Sequence, residues 1–107
     1  MRRGEIRVVT RGAVGGRQPV LVVQENEFND SRLPSVICAV ISADLRLAHA
    51  PGNVFLTELA SGLDKEAVAN VAQLVTVGRQ YLSKPIGVLG GRLLREVDEG
   101  LRLALSL

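Results

Sequence analysis

Short apolar runs separated by polar and glycine-bearing breaks make up most of this chain, and only its C-terminal stretch changes to helical spacing. Glu5-Ile6-Arg7-Val8-Val9 alternates at its start, so it predicts a strand with Ile6 and Val8 on one face. The continuous runs Val20 to Gln24 and Val36 to Ile41 predict central strands buried on both faces. Between them, Asn26 to Ser35 reads as a polar connection with one helical turn, ended by Pro34. Ala50-Pro51-Gly52-Asn53 is a turn signal and Val54-Phe55-Leu56 the strand after it; Gly62-Leu63-Asp64-Lys65 is a second turn. Ala67 to Val77 mixes signals, but Val68, Val71, Val75 and Val77 with Thr76 favour strand. Pro85 precedes a last short strand, Ile86 to Leu89. From Gly91 onward, Leu94, Val97, Leu101 and Ala104 or Leu105 recur at helical spacing, with Arg92, Arg95, Asp98, Glu99 and Arg102 on other faces. These elements predict an α+β domain: a small, mostly antiparallel, barrel-like sheet capped by a C-terminal amphipathic helix. Residues 1–107 read as a single domain without repeats, linkers or low-complexity tracts.

Composition narrows the picture. Phe28, Phe55 and Tyr81 are the only aromatics, so the core is aliphatic and nucleic-acid binding built on aromatic stacking is disfavoured. The formal charge is only +2, yet Arg2, Arg3, Arg7, Arg11 and Arg17 face a single acid, Glu5, at the N-terminal end. Such a cluster either steers phosphates or forms a solvated arginine-rich face. Cys38, alone within an apolar run, reads as an inert core thiol; no disulfide can form within one chain, which fits a reducing compartment. No run reaches the length of a membrane span, and Met1-Arg2-Arg3 leads into a polar segment rather than a signal core, so a cytoplasmic location is expected.

The candidate chemistry lies in the segment Gly12-Ala13-Val14-Gly15-Gly16-Arg17-Gln18-Pro19, set directly against the apolar run that follows. A glycine-rich cationic loop on a rigid strand suits an anionic partner, although its composition also fits an ordinary hairpin loop. Other chemistries lack their parts. One histidine, His49, makes no multi-histidine metal site, and Cys38 has no cysteine at ligand spacing. Glu25, Glu27 and Asp30 sit among asparagines and suit helix capping better than a metal pair. Gly12-x-x-Gly15-Gly16 lacks the Lys-Ser/Thr ending of a phosphate loop. An enzyme built on this chain would therefore work without metal or cofactor, through arginine, hydroxyl and amide groups.

Arg3-Gly4-Glu5-Ile6, the glycine-bearing loop, Pro19-Val20-Leu21-Val22-Val23-Gln24, Asn29, Leu33-Pro34, Val40-Ile41-Ser42, Pro51-Gly52-Asn53-Val54, Gly62-Leu63-Asp64-Lys65-Glu66 and Glu96-Val97-Asp98 follow in an order that resembles the MazF/PemK toxins, most closely an actinobacterial, mycobacterial-type branch. The resemblance spans nearly the whole chain. It implies a CcdB/MazF-like fold with an SH3-like barrel, a symmetric homodimer, and a sequence-specific, metal-independent endoribonuclease acting on single-stranded RNA but not on DNA. It further implies the toxin half of a toxin–antitoxin pair, inhibited by a MazE-like antitoxin. In the family the ribose 2′-hydroxyl attacks the adjacent phosphate and leaves a 2′,3′-cyclic phosphate, a route closed to DNA.

The same resemblance assigns candidate residues. An arginine usually stands directly before the proline that starts the second strand; here Gln18 occupies that place and Arg17 is one residue earlier. Neighbours on an extended segment point to opposite sides, so Arg17 inherits the role only if the loop bulges. Ser42 matches the family's hydroxyl after the third strand. Arg17, Gln18 and Ser42 are thus the catalytic candidates, and Arg11 and Gln73 the RNA-binding ones. Each also has a plainer reading: Arg17 a solvated loop charge, Gln18 a loop amide, Ser42 a strand-end hydroxyl bonded to its own backbone, and Gln73 an amide bonded inside the fold. The amide at position 18 leaves open a second function, a catalytically weakened member that binds RNA or antitoxin without efficient cleavage.

Overall fold

The computed structural model describes residues 1–10 and 16–107; Arg11 and the Gly12 to Gly15 stretch of the candidate loop lie outside the described residues. Six strands form one antiparallel sheet: β1 (Glu5–Val9), β2 (Gln18–Val22), β3 (Ser35–Ser42), β4 (Val54–Leu56), β5 (Ala67–Gly78) and β6 (Gly87–Val88), in the spatial order β4-β5-β3-β2-β1-β6. Two single-turn helices, α1 (Asn26–Asn29) and α2 (Glu58–Ser61), and 3-10 turns at Leu45–His49 and Arg79–Tyr81 connect them. A long helix, α3 (Gly91–Leu105), ends the chain.

The sheet has two apolar faces because its central strands carry few polar residues. One face presents Ile6, Leu21, Ala39, Ile41, Val54, Leu56 and Ala69 to Val97 and Leu101 of α3, and this is the main core. The opposite face holds a smaller cluster of Val20, Val22, Val36 and Cys38 under Met1, Val9, Val75 and Leu82. Burial pushes the Cys38 thiol up to about 12, against a weaker opposing pull from Arg7, so it stays protonated and inert as its sequence context indicated. Hydrogen bonding leaves β4 and β6 as edges, and the two ends of the sheet meet through α2. Gly62, at φ +78°, ends α2 against the Ile86 carbonyl, where a Cβ would stand 2.2 Å from that oxygen. On the other side a Cβ on Gly87 would stand 2.0 Å from the Ser61 carbonyl oxygen. Only glycine on both sides allows this approach, and through it the sheet curls into a half-barrel.

Most predicted elements are present, with three differences. The second strand begins earlier and ends at Val22, because the N–H groups of Val23 and Gln24 both donate to the Ile37 carbonyl at 3.1 Å and break the ladder there; the Gln24 side chain adds bonds of its own, Nε2 donating to Asn29 Oδ1 at 3.0 Å and Oε1 accepting from Ile37 N at 3.2 Å. The last strand contracts to Gly87–Val88, and α2 and the Leu45–His49 turn had no apolar periodicity to announce them. Three arginines of the N-terminal basic cluster stand in ion pairs. Arg2 Nη1 meets Asp30 Oδ1 at 2.9 Å and Arg7 Nη2 meets Glu5 Oε1 at 2.7 Å. Arg3 Nη2 lies 2.6 Å from Asp98 Oδ1, a charge contact without hydrogen-bond alignment. Glu25 caps α1, its carboxylate accepting from Asn26 N, and His49 is exposed. No helix among the described residues is long and apolar enough to cross a membrane.

Candidate active site

The site is assembled by strand register. Val20 pairs with Val40, so two residues further along the same face Gln18 and Ser42 stand side by side at the end of β2 and β3. The Gln18 Nε2 donates to the Ile41 carbonyl at 2.8 Å and to the Pro19 carbonyl at 2.9 Å, which ties the start of β2 to the end of β3. The amide nitrogen is thus spent on backbone and adds no positive charge to the site. Ser42 Oγ accepts the N–H of Asp44 at 3.0 Å. That is the strand-end bond of the plainer reading, but it uses only a lone pair of the oxygen, and the hydroxyl proton remains available for donation. Asp44 is in turn held by Arg46: the guanidinium and the Arg46 N–H bond its carboxylate and keep it below the usual aspartate range.

Gln73 reaches the same place by an irregularity. Ala39 pairs with Leu74 but its neighbour Val40 pairs with Asn70, so Val71, Ala72 and Gln73 bulge out of the ladder. Gln73 is exposed, with its Oε1 3.5 Å from Asn70 Nδ2. Its side chain is therefore on the surface and not bonded inside the fold.

Arg17, Gln18, Ser42 and Gln73 line one open cleft of about 360 Å³, together with Pro19, Val40, Ile41 and the segment Leu63 to Ala67. Residues drawn from three separated stretches of sequence therefore converge. Arg17 precedes the first residue of β2 and also borders a second cleft with Val8, Gly62, Leu63 and Ile86, so it stands at the rim between the two rather than in the position of Gln18. Arg11 lies outside the described residues. Sequence reading missed Asp64, Lys65 and Glu66 as site residues, since the turn signal there concealed that the Gly62–Ile86 contact folds this turn over the end of β3. They give the cleft two carboxylates and an ammonium beside the Arg17 guanidinium. The chemistry within reach is recognition of a phosphate-bearing, hydrogen-bonding chain, with a hydroxyl donor, two cations and two carboxylates lining one cleft.

Comparison with known proteins places the chain in a family. Residues 2–105 match the family described as PemK-like, MazF-like toxin of type II toxin-antitoxin system, and the chain belongs to that family. It is thus a toxin of the type II class by sequence. Endoribonuclease MazF6 of Mycobacterium tuberculosis (strain ATCC 25618 / H37Rv) is 44% identical over 91 residues, covering 85% of this chain and 80% of that protein. Endoribonuclease EndoA of Bacillus subtilis (strain 168) is 32% identical over 93 residues, covering 87% of this chain and 79% of that protein. Among solved structures, an endoribonuclease in complex with its cognate antitoxin from a mycobacterial species superposes with a TM-score of 0.84 at 22% identity, covering 100% of this chain and 96% of that one.

Proposed function

We propose that the chain is an endoribonuclease toxin that cuts single-stranded RNA in the cleft between β2, β3 and the bulge of β5. The observation that carries this reading is the convergence of Arg17, Gln18, Ser42 and Gln73 on one surface. Cleavage by the ribose 2′-hydroxyl requires a proton acceptor, a donor to the leaving 5′-oxygen, and fixed groups around the phosphorane oxygens. Ser42 supplies an uncharged donor held in place by β3, and Arg17 supplies the cation that Gln18 does not. Asp64 and Glu66 are the proton-accepting groups of the same cleft, and Arg11 and Gln73 extend contact to the flanking RNA.

Two assembly features belong to the same proposal. Phe28, Ile37, Leu74, Leu101, Leu105 and Leu107 line an apolar groove of about 560 Å³ between α1, the sheet and α3, a surface suited to the second copy in a homodimer. A small MazE-like antitoxin with a disordered, acidic and apolar segment would occupy the same cleft, its acids meeting Arg17 and Lys65, and block RNA in the cytoplasm.

Purified protein incubated with RNA, and with the same oligonucleotide carrying a single 2′-deoxy residue at the cut position, tests the activity. RNA should yield a 2′,3′-cyclic phosphate and a 5′-hydroxyl, and the substituted strand should stay intact. Cleavage of the substituted strand at the parental position would eliminate the 2′-hydroxyl route. RNA bound but never cut would favour the weakened, binding-only form.

A further inference from the structure

Gln73 enters the cleft only because β5 leaves the ladder for three residues, and a bulge of that size frees backbone groups that must be bonded elsewhere. The structure shows where they go. The N–H of Val71, first residue of the bulge, donates to Asn53 Oδ1 at 2.9 Å, and the N–H of Ala72 donates to Asn70 Oδ1 at 3.2 Å. Asn53 is itself anchored, its Nδ2 donating to the Leu47 carbonyl at 3.0 Å. Its backbone is fixed from the other side: Gly52, at φ +82°, packs so closely on α3 that a Cβ there would stand 3.0 Å from Gly100 Cα.

From this chain of contacts we infer that Asn53 is the positioning residue for Gln73: it holds the β5 bulge in place and so sets the RNA contact that Gln73 makes at the edge of the cleft. Asn53 does not line the cleft, and it acts only through the bulge. One end of its amide accepts from the bulge while the other donates to the turn after β3, so a single side chain ties the bulge that carries Gln73 to that turn. The inference rests on the ribonuclease reading for its catalytic consequence, while the placement itself is independent of it.

The test compares Asn53→Ala, Asn53→Asp, Gln73→Ala and the double variant Asn53→Ala/Gln73→Ala in the full chain, using an RNA oligonucleotide that the parent cleaves. Asn53→Ala should speed hydrogen exchange of the Val71 amide and raise KM about tenfold, the loss expected for one hydrogen bond to substrate, with kcat little changed. Asn53→Asp keeps the acceptor for Val71 but loses the bond to the Leu47 carbonyl, so it should restore both only in part. The double variant should be no worse than Gln73→Ala, because both remove the same contact. Asn53→Ser, too short to span both partners, serves the same comparison if Asn53→Ala does not fold. Unchanged Val71 exchange in Asn53→Ala overturns the placement. A double variant whose KM is the product of the two single effects overturns the link to Gln73. A parent that cleaves no RNA would defeat the ribonuclease reading while leaving the exchange measurement to decide the placement.

Discussion

Replacing Ser42 with alanine separates the two jobs its hydroxyl can do. As an acceptor it takes the Asp44 N–H at 3.0 Å in a half-buried setting, and losing a neutral bond of that kind costs about 0.5–1.5 kcal/mol. Domains of this size have roughly 5–15 kcal/mol of stability, so the variant remains folded at 25 °C. As a donor to a phosphorane oxygen the hydroxyl acts only in the transition state, where removal of one such group lowers kcat by about a hundredfold to a thousandfold. The two effects differ enough to be read apart. Single-turnover cleavage of labelled RNA gives the rate, and binding of an uncleavable strand with one 2′-deoxy residue gives affinity. Ser42→Ala should lose rate with nearly unchanged affinity and a slightly lower melting temperature, and Ser42→Thr, which keeps the hydroxyl, should recover most of the rate. Cleavage by Ser42→Ala at the parental rate would remove Ser42 from the mechanism. A fall in rate matched by an equal loss of affinity would show that it only binds.

Gln18→Arg places a permanent cation where the amide now bonds only backbone carbonyls, so cleavage should accelerate; an unchanged rate would indicate that Arg17 already fills that role from the rim. Arg17→Ala should weaken RNA binding and flatten its salt dependence by about 0.7 in slope, measured by titration over a range of salt concentrations. Burial raises the Glu5 carboxyl, but the Arg2 N–H and the Arg7 guanidinium outweigh it and hold it below its ordinary 4.5. Its stabilisation is therefore complete above that value and lost as pH falls through the lowered one, and melting of Glu5→Gln against pH should lack this acid loss. Gly62→Ala should destabilise the fold by about 1–3 kcal/mol or more in denaturant titration, since its Cβ would stand 2.2 Å from the Ile86 carbonyl oxygen at a left-handed φ.

Sequence alone determined the elements whose side chains face a core. The β-branched runs of β3 and β5 and the helical spacing of Val97 and Leu101 in α3 express local periodicity, and burial follows it there, whereas Ile37 in the expected two-sided strand and Ala104 and Leu105 at the end of the helical stripe are exposed. Ser42 and Gln18 were legible as candidates through their places at strand ends within a family pattern. Tertiary structure decided what depends on meetings between distant segments. The bulge that presents Gln73 is set by Asn53, and the turn that brings Asp64, Lys65 and Glu66 to the cleft is set by the Gly62–Ile86 approach. Arg2 and Arg3, part of a basic cluster in the sequence, stand in ion pairs because Asp30 and Asp98 lie far from them in sequence and close in space. Apolar periodicity reports which side of an element is buried; it carries no term for which polar groups end up side by side, and the site is made of those.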